Sequence, residues 1–245
     1  LENDKKAMPL VWPRYYAALA ADGEARQAFF DGVAQHGRHQ TLKALETALT
    51  KRVEFALADA SGVAERSVQT FGDQFPEMAG LDEPQAHGWT PVVQEALWAA
   101  ARVLGAASAP SFSARGVELE KALTGRRWPG VCDALLTKEG EPRKFGTKIA
   151  DIEVVREAQE RVLRVARASA QHEAWLHQRR MTRLARVLLA CHADLKRERG
   201  WVDMTDVERA ALALLSDPVL SGWVQERLDV RVRHLLIDEF QDTNP

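Results

Sequence analysis

From Asp151 to Arg199 the chain contains neither proline nor glycine. These two residues are the strongest interrupters of a helix. Across the same stretch Ile152, Val155, Val162, Val165, Trp175, Met181, Leu184, Leu188 and Leu195 recur at roughly helical spacing. The pattern predicts one very long helix, or two with a break near Ser169 to His172. Gly200 stands where a left-handed terminating residue belongs. A helix of that length is stabilised by what packs along its apolar face, so the rest of the chain must supply partners.

The rest of the chain is also mostly helical in pattern. Pro13 suits the opening of a first helix that carries Tyr15, Tyr16 and Leu19, and Asp22-Gly23 breaks it. Ala25, Phe29 and Val33 mark a second helix, and Leu42, Leu45, Leu49, Val53 and Leu57 a longer third. Phe71, Phe75, Met78 and Leu81 lie in a Gly/Pro-containing link that packs on its neighbours. Thr90-Pro91 reads as an N-cap with proline at the first helical position, ahead of Val93, Leu97, Ala100 and Leu104. Residues 105–113 are the most linker-like and a place to subdivide residues 1–200. Residues 125–148, rich in Gly and Pro, read as a loop or weak hairpin. Helices follow at 204–215 and 218–228, and then a short strand at 233–237. Helix after helix with one terminal strand predicts a mainly α fold, with the strand joining a sheet of an alternating α/β unit.

Composition narrows the function classes. No apolar run approaches the ~20 residues of a membrane span, and the first residues are too polar for a signal peptide. Cys132 and Cys191 are isolated and offer no disulfide framework, which points to a reducing cytoplasm. His36 and His39 have no second pair of ligands nearby. The net charge is −2, but unevenly spread: residues 1–120 carry 11 basic and 16 acidic groups, residues 121–200 carry 18 and 10, and residues 201–245 carry 4 and 9. A local excess of +8 can attract phosphates; the plainer reading is a solvated arginine-rich helix face.

The chain ends in Leu235-Leu236-Ile237-Asp238-Glu239-Phe240-Gln241-Asp242-Thr243-Asn244 and a final proline. An apolar strand that delivers adjacent carboxylates at its C-terminal end suits a Mg²⁺–nucleotide site: one acid holds the ion and its neighbour orients water. The string DEFQDTN resembles motif II, the Walker B element, of the UvrD/Rep family of superfamily 1 DNA helicases. Lys196 to Val207 is similar to the K-x-x-x-G-x-x-D-F-x-D-L element ahead of it, with Met204 and Val207 in place of Phe and Leu. Trp223 to Asp229 and Leu136 to Lys148 look most like the AddA/RecB branch of helicase–nuclease subunits. Residues 1–120 carry no such motif.

The resemblance implies a part for each matched residue. Asp238 would coordinate Mg²⁺ on ATP, Glu239 would activate the hydrolytic water, and Gln241 would couple nucleotide state to DNA, within a polar network shared by Asp242. For Asp203 and Asp206, helix capping is the favoured reading over catalysis. It also implies a helical 1B-type domain at 1–200, inserted in motor domain 1A, and a return to that domain at 201–245. Gly-x-x-x-x-Gly-Lys-Ser/Thr occurs nowhere in the 245 residues, so the expectation is an internal piece of a larger helicase, inactive alone, that acts on DNA and works with a second helicase–nuclease subunit. The alternative is a non-catalytic helical module that binds DNA or a partner. Candidate DNA contacts are Arg126, Arg127 and Trp128, together with Arg180 and Arg183 from the run Arg161, Arg164, Arg167, Arg179, Arg180, Arg183 and Arg186. The competing expectation pairs these arginines with Glu153, Glu157, Glu160 and Glu173. Five or more of the seven tryptophans belong to the core.

Overall fold

The computed structural model describes residues 2–146, 149–231 and 234. The fold is mainly α, as the pattern predicts. Its spine is α10 (Ile152–Arg199), a single 48-residue helix, roughly 72 Å long at 1.5 Å per residue. No break occurs near Ser169 to His172, a stretch free of proline and glycine. Gly200 ends it with φ 61°, and the amides of Gly200 and Trp201 bond the carbonyls of Arg197 and Lys196.

Two apolar clusters sit on the two halves of this spine. The N-terminal half contributes Val155, Ala158, Val162, Val165 and Ala168 to the larger cluster. Its other members come from α6 (Phe71–Gln74), the turn at Pro76–Met78, α7 (Pro91–Gly105), α8 (Pro110–Thr124) and α9 (Trp128–Leu135). Residues 106–109 are a turn between α7 and α8, which pack closely within this one cluster. At Gly116 an added Cβ would lie 2.3 Å from the amide nitrogen of Gly105, so the approach of the two helices requires glycine there.

The C-terminal half contributes Leu184, Leu188 and Leu195 to the second cluster. Here α1 (Glu2–Ala21), α2 (Gly23–His36) and α3 (Arg38–Thr50) pack against it. Pro13 does not open α1; Pro9 and Pro13 both lie inside it. The buried stripe Ala7, Val11, Tyr15 and Leu19 against α10 explains how the helix persists across both. Asp22 caps α2, its carboxylate accepting from the amides of Glu24 and Ala25 at 3.0 Å. The predicted long third helix is divided at Lys51 into α3 and α4 (Arg52–Ala60). Just before the break the hydroxyls of Thr47 and Thr50 bond carbonyls four residues back, which bends helices. A four-residue α5 (Val63–Arg66) follows.

Between the clusters the spine is held by polar and aromatic contacts. Gln171 Nε2 donates to the Gln69 carbonyl, Gln178 Nε2 to that of Ala64, and Gln35 Nε2 to Glu173. His177 meets His36 edge to face at 4.3 Å.

The segment predicted as loop or hairpin divides in two. Residues 128–135 are α9, and 136–142 make a hairpin with one antiparallel bridge, Leu136 to Pro142. After α10, α11 (Met204–Ser216) and α12 (Pro218–Asp229) pack on each other and bury no residue. Leu212, Leu215, Val219, Leu220, Trp223 and Leu228 are all exposed. The strand expected at 233–237 lies, apart from His234, outside the described residues. Among the described residues no helix is long and apolar enough to cross a membrane.

Candidate nucleic-acid interface

The arginines of α10 are largely engaged by carboxylates. Arg180 lies 3.8 Å from Asp31 and donates to Gln35 at 2.8 Å. Arg183 pairs with Glu24 and, at 3.7 Å, with Asp22. Arg186 bonds both oxygens of Asp59 and reaches Glu65 at 2.8 Å. Arg164 pairs with Glu77 through both oxygens and lies over the Phe75 ring. Hydrogen bonding from Arg164 holds the Glu77 carboxyl down to about 2, and bonding from Arg186 lowers that of Asp59. Within α10 itself only Arg156–Glu153, Arg161–Glu157 and Arg197–Asp194 form such pairs among the described residues. The partners thus come mainly from other helices. The complementary imbalance of residues 1–120 (−5) and 121–200 (+8) was the signal for this.

Arg126 and Arg127 are placed differently. They occupy the turn between α8 and α9, both exposed, with no carboxylate partner among the described residues. Arg126 has φ 47°, a left-handed conformation costly for a non-glycine residue. Its guanidinium sits 5.3 Å from the centre of the Trp89 ring. Trp128 is a correction to the candidate set. It is 5% exposed, packed edge to face on Trp89 at 5.7 Å and pressed against Gly88, where a Cβ would come within 2.1 Å of its ring. In this conformation it offers no face to a base. The half-buried indole beside Arg126 is that of Trp89, which sequence proximity could not reveal.

At the far end of α10, Asp203 is nearly buried, with only 7% of its side chain exposed. It accepts from Arg52 at 2.7 Å and from Lys196 at 2.5 Å. Asp203 and Asp206 also form a reciprocal capping box on α11, each carboxylate taking the other's amide at 3.0 Å. Burial opposes ionisation of Asp203, but Lys196, the Asp206 amide and Arg52 outweigh it and hold the carboxyl at about 2. The two acids therefore cap and fasten, joining α4, α10 and α11.

Asp238, Glu239 and Gln241 lie outside the described residues. Among the described residues no group of His, Cys, Asp or Glu could hold a metal ion. Cys132 and Cys191 are free, and burial raises both thiols, that of Cys132 to about 11.

The fastened K-x-x-x-G-x-x-D-x-x-D element and the DEFQDTN string that follows it are the motifs that resemble UvrD/Rep helicases. The chain matches the UvrD/REP helicase N-terminal domain over residues 40–245, and it belongs to that family. It is also similar to an ATP-dependent helicase/nuclease subunit of Exiguobacterium sibiricum, with 37% identity over 68 residues. That stretch is 28% of this chain and 6% of the relative, so the match spans only a small part of the longer protein. No solved structure matches the chain.

Proposed function

We propose that the chain is part of an ATP-dependent DNA helicase of the helicase/nuclease kind, cytoplasmic and acting in the repair of DNA double-strand breaks. The observation that carries this reading is the intact DEFQDTN motif inside a family match that runs through residue 245. Residues 1–200 would be a helical domain of 1B type, and residues 201–245 a return to the motor domain. The exposed Leu212, Leu215, Val219, Leu220, Trp223 and Leu228 of α11 and α12, which bury no residue, support this, since clustered exposed apolar side chains suit an interaction surface. The rest of the motor would cover it.

The donor chemistry of motif II fits MgATP. Asp238 supplies a hard anionic oxygen of the kind Mg²⁺ prefers. Bound MgATP would supply the transferable phosphoryl group and its neutralising cation. Glu239 would accept a proton from the attacking water, and Gln241 would relay the outcome to the DNA-contacting part of the motor. DNA is the expected macromolecular partner, met through Arg126 and Arg127 in preference to the paired Arg180 and Arg183, and a second helicase–nuclease subunit is the expected protein partner.

In the longer polypeptide that carries this region, Glu239→Gln should leave nucleotide binding largely in place. ATP turnover should fall by ~10²–10⁴-fold, the usual worth of a positioned general base. Steady-state hydrolysis and nucleotide-binding titration measure the two separately. Wild-type turnover in that variant would remove Glu239 from the mechanism.

A further inference from the structure

The charged hairpin between α9 and α10 has its own anchoring. We propose that residues 136–144, fixed in place by the buried carboxamide of Gln159, form a preformed contact for nucleic-acid phosphates through Lys138 and Lys144. This rests on the reading of DNA as the partner and names a surface for it.

A two-armed hairpin this short is marginal by itself. Here it is tied along its length. The Thr137 amide donates to the Glu141 carbonyl at 2.7 Å, the Gly140 amide to Thr137 at 3.0 Å and the Arg143 amide to Leu135 at 3.0 Å. Gly140 takes the turn with φ 81°. Gln159 is 5% exposed, and a buried amide is costly unless its hydrogens are used. Its Nε2 donates to the carbonyls of Leu135 and Arg143, both at 2.9 Å. Those are the two residues at the base of the hairpin, so one side chain of the spine clamps both arms. Phe145 then packs edge to face on Phe112 at 5.5 Å and fixes the exit.

The charges on this frame are sorted. Arg143 Nε is spent on the Asp133 carbonyl at 3.1 Å. Thr137 lowers the Glu139 carboxyl, and Glu139 and Glu141 are the two exposed acids of the hairpin. Lys138 and Lys144 are exposed and have no carboxylate partner among the described residues. Leu136, the one large aliphatic side chain of the hairpin, is 3% exposed, so the surface offers charge rather than apolar area. At the other end of the eight-residue α9, ~12 Å away along the helix axis, stand Arg126, over the Trp89 ring, and Arg127, both likewise without a carboxylate partner among the described residues. Two sets of exposed cations flanking one short helix suit a ligand with repeated negative charges, and a nucleic-acid backbone is such a ligand.

The test uses the 245-residue chain and a fluorescently labelled DNA duplex, with binding followed by anisotropy as salt is raised. Lys138→Glu with Lys144→Glu should weaken low-salt binding ~10-fold or more, and flatten the slope of log K against log salt by ~2. Both positions are exposed, so the fold should survive, as circular dichroism would verify. Gln159→Leu keeps the charges: its slope should match wild type, its affinity should fall several-fold, and the amides of Gly140 and Arg143 should exchange hydrogen faster. Wild-type affinity in the double lysine variant would overturn the hairpin contact while leaving DNA as the partner. Unchanged affinity in Gln159→Leu despite faster exchange would overturn the positioning role. Competition by polyglutamate as effective as by unlabelled duplex would reassign the lysines to acidic peptides. No duplex binding by the wild-type chain at low salt would overturn both this inference and the DNA reading beneath it.

Discussion

The two halves of α10 are held by different forces. The N-terminal half lies in the larger apolar cluster, with Trp128, Leu97, Leu119 and Leu135 around it. The C-terminal half has the smaller cluster and adds a belt of charge pairs, from Arg180–Asp31 through Arg186–Asp59 to Lys196–Asp203. Apolar burial does not depend on pH or on modest salt, whereas exposed ion pairs weaken as salt screens them. One helix therefore carries a lobe held mainly by apolar burial, with Arg164–Glu77 as a charge pair to another element, and a lobe in which a belt of such pairs responds to ionic conditions. The difference also explains why an excess of arginine on a helix is weak testimony for nucleic acid: here most of it is used inside the molecule.

The largest expected effect lies on the apolar side. Trp128→Ala should destabilise the 71–168 lobe by ~3–5 kcal/mol, the range for truncating a buried aromatic. The loss should hardly depend on salt. Urea unfolding at two ionic strengths measures it. A variant of wild-type stability that had lost duplex affinity would restore Trp128 as a surface contact and break the comparison.

How much of this was legible in the sequence follows the range of the interaction. The uninterrupted 151–199 pattern and the Gly200 terminator marked the helical stretch and its end, because both are local, but left open whether it was one helix or two. The caps at Asp203 and Asp206 were legible for the same reason, whereas Asp22 was legible only as part of a break and its capping of α2 emerged from the structure. Motif II was legible because seven residues in a row carry it. What escaped depends on contacts between distant segments. Pro9 and Pro13 inside α1 are tolerated only because a buried stripe holds that helix against α10. Trp128 faces inward because Gly88, forty residues away, leaves room for its ring. The arginines of α10 find acids that lie up to about 160 positions away in sequence, as between Arg183 and Asp22. Period and propensity report none of these pairings.

On the charged side the strongest single fastener is Asp203. Replacing it with Ala removes the carboxylate that Lys196 and Arg52, both mostly buried, share, while Lys196 keeps Asp206. Breaking one partner of a buried pair costs ~3–5 kcal/mol, and the partial exposure here argues for the lower end. The same carboxyl gives a pH signature. Its folded value, about 2, lies below the ordinary 3.8. The unfolded chain therefore binds the proton more readily, and stability from this group is complete above about 4 and lost as pH falls towards 2. Acid titration of thermal stability should show that loss in wild type and a shallower one in Asp203→Ala. Identical acid profiles would mean that the fastener contributes little to the folded state.

The smallest effect separates geometry from energy. Arg186 holds Asp59 by both nitrogens of its fork and touches Glu65 as well, the most elaborate ion pair on the spine. Its side chain is nevertheless 44% exposed. Exposed pairs are worth ~0.2–1 kcal/mol, and a bidentate fork argues for the upper part of that range. Arg186→Met, which keeps most of the apolar stem, should cost no more than that at low salt. The difference should shrink towards zero at ~1 M salt, where the screening length is about 3 Å. Unfolding curves for the two proteins at both ionic strengths give the comparison directly. A cost of several kcal/mol that persisted in high salt would mean that Arg186 is packed rather than merely paired. The contrast between the two halves of the helix would then be one of degree, with buried contact carrying both.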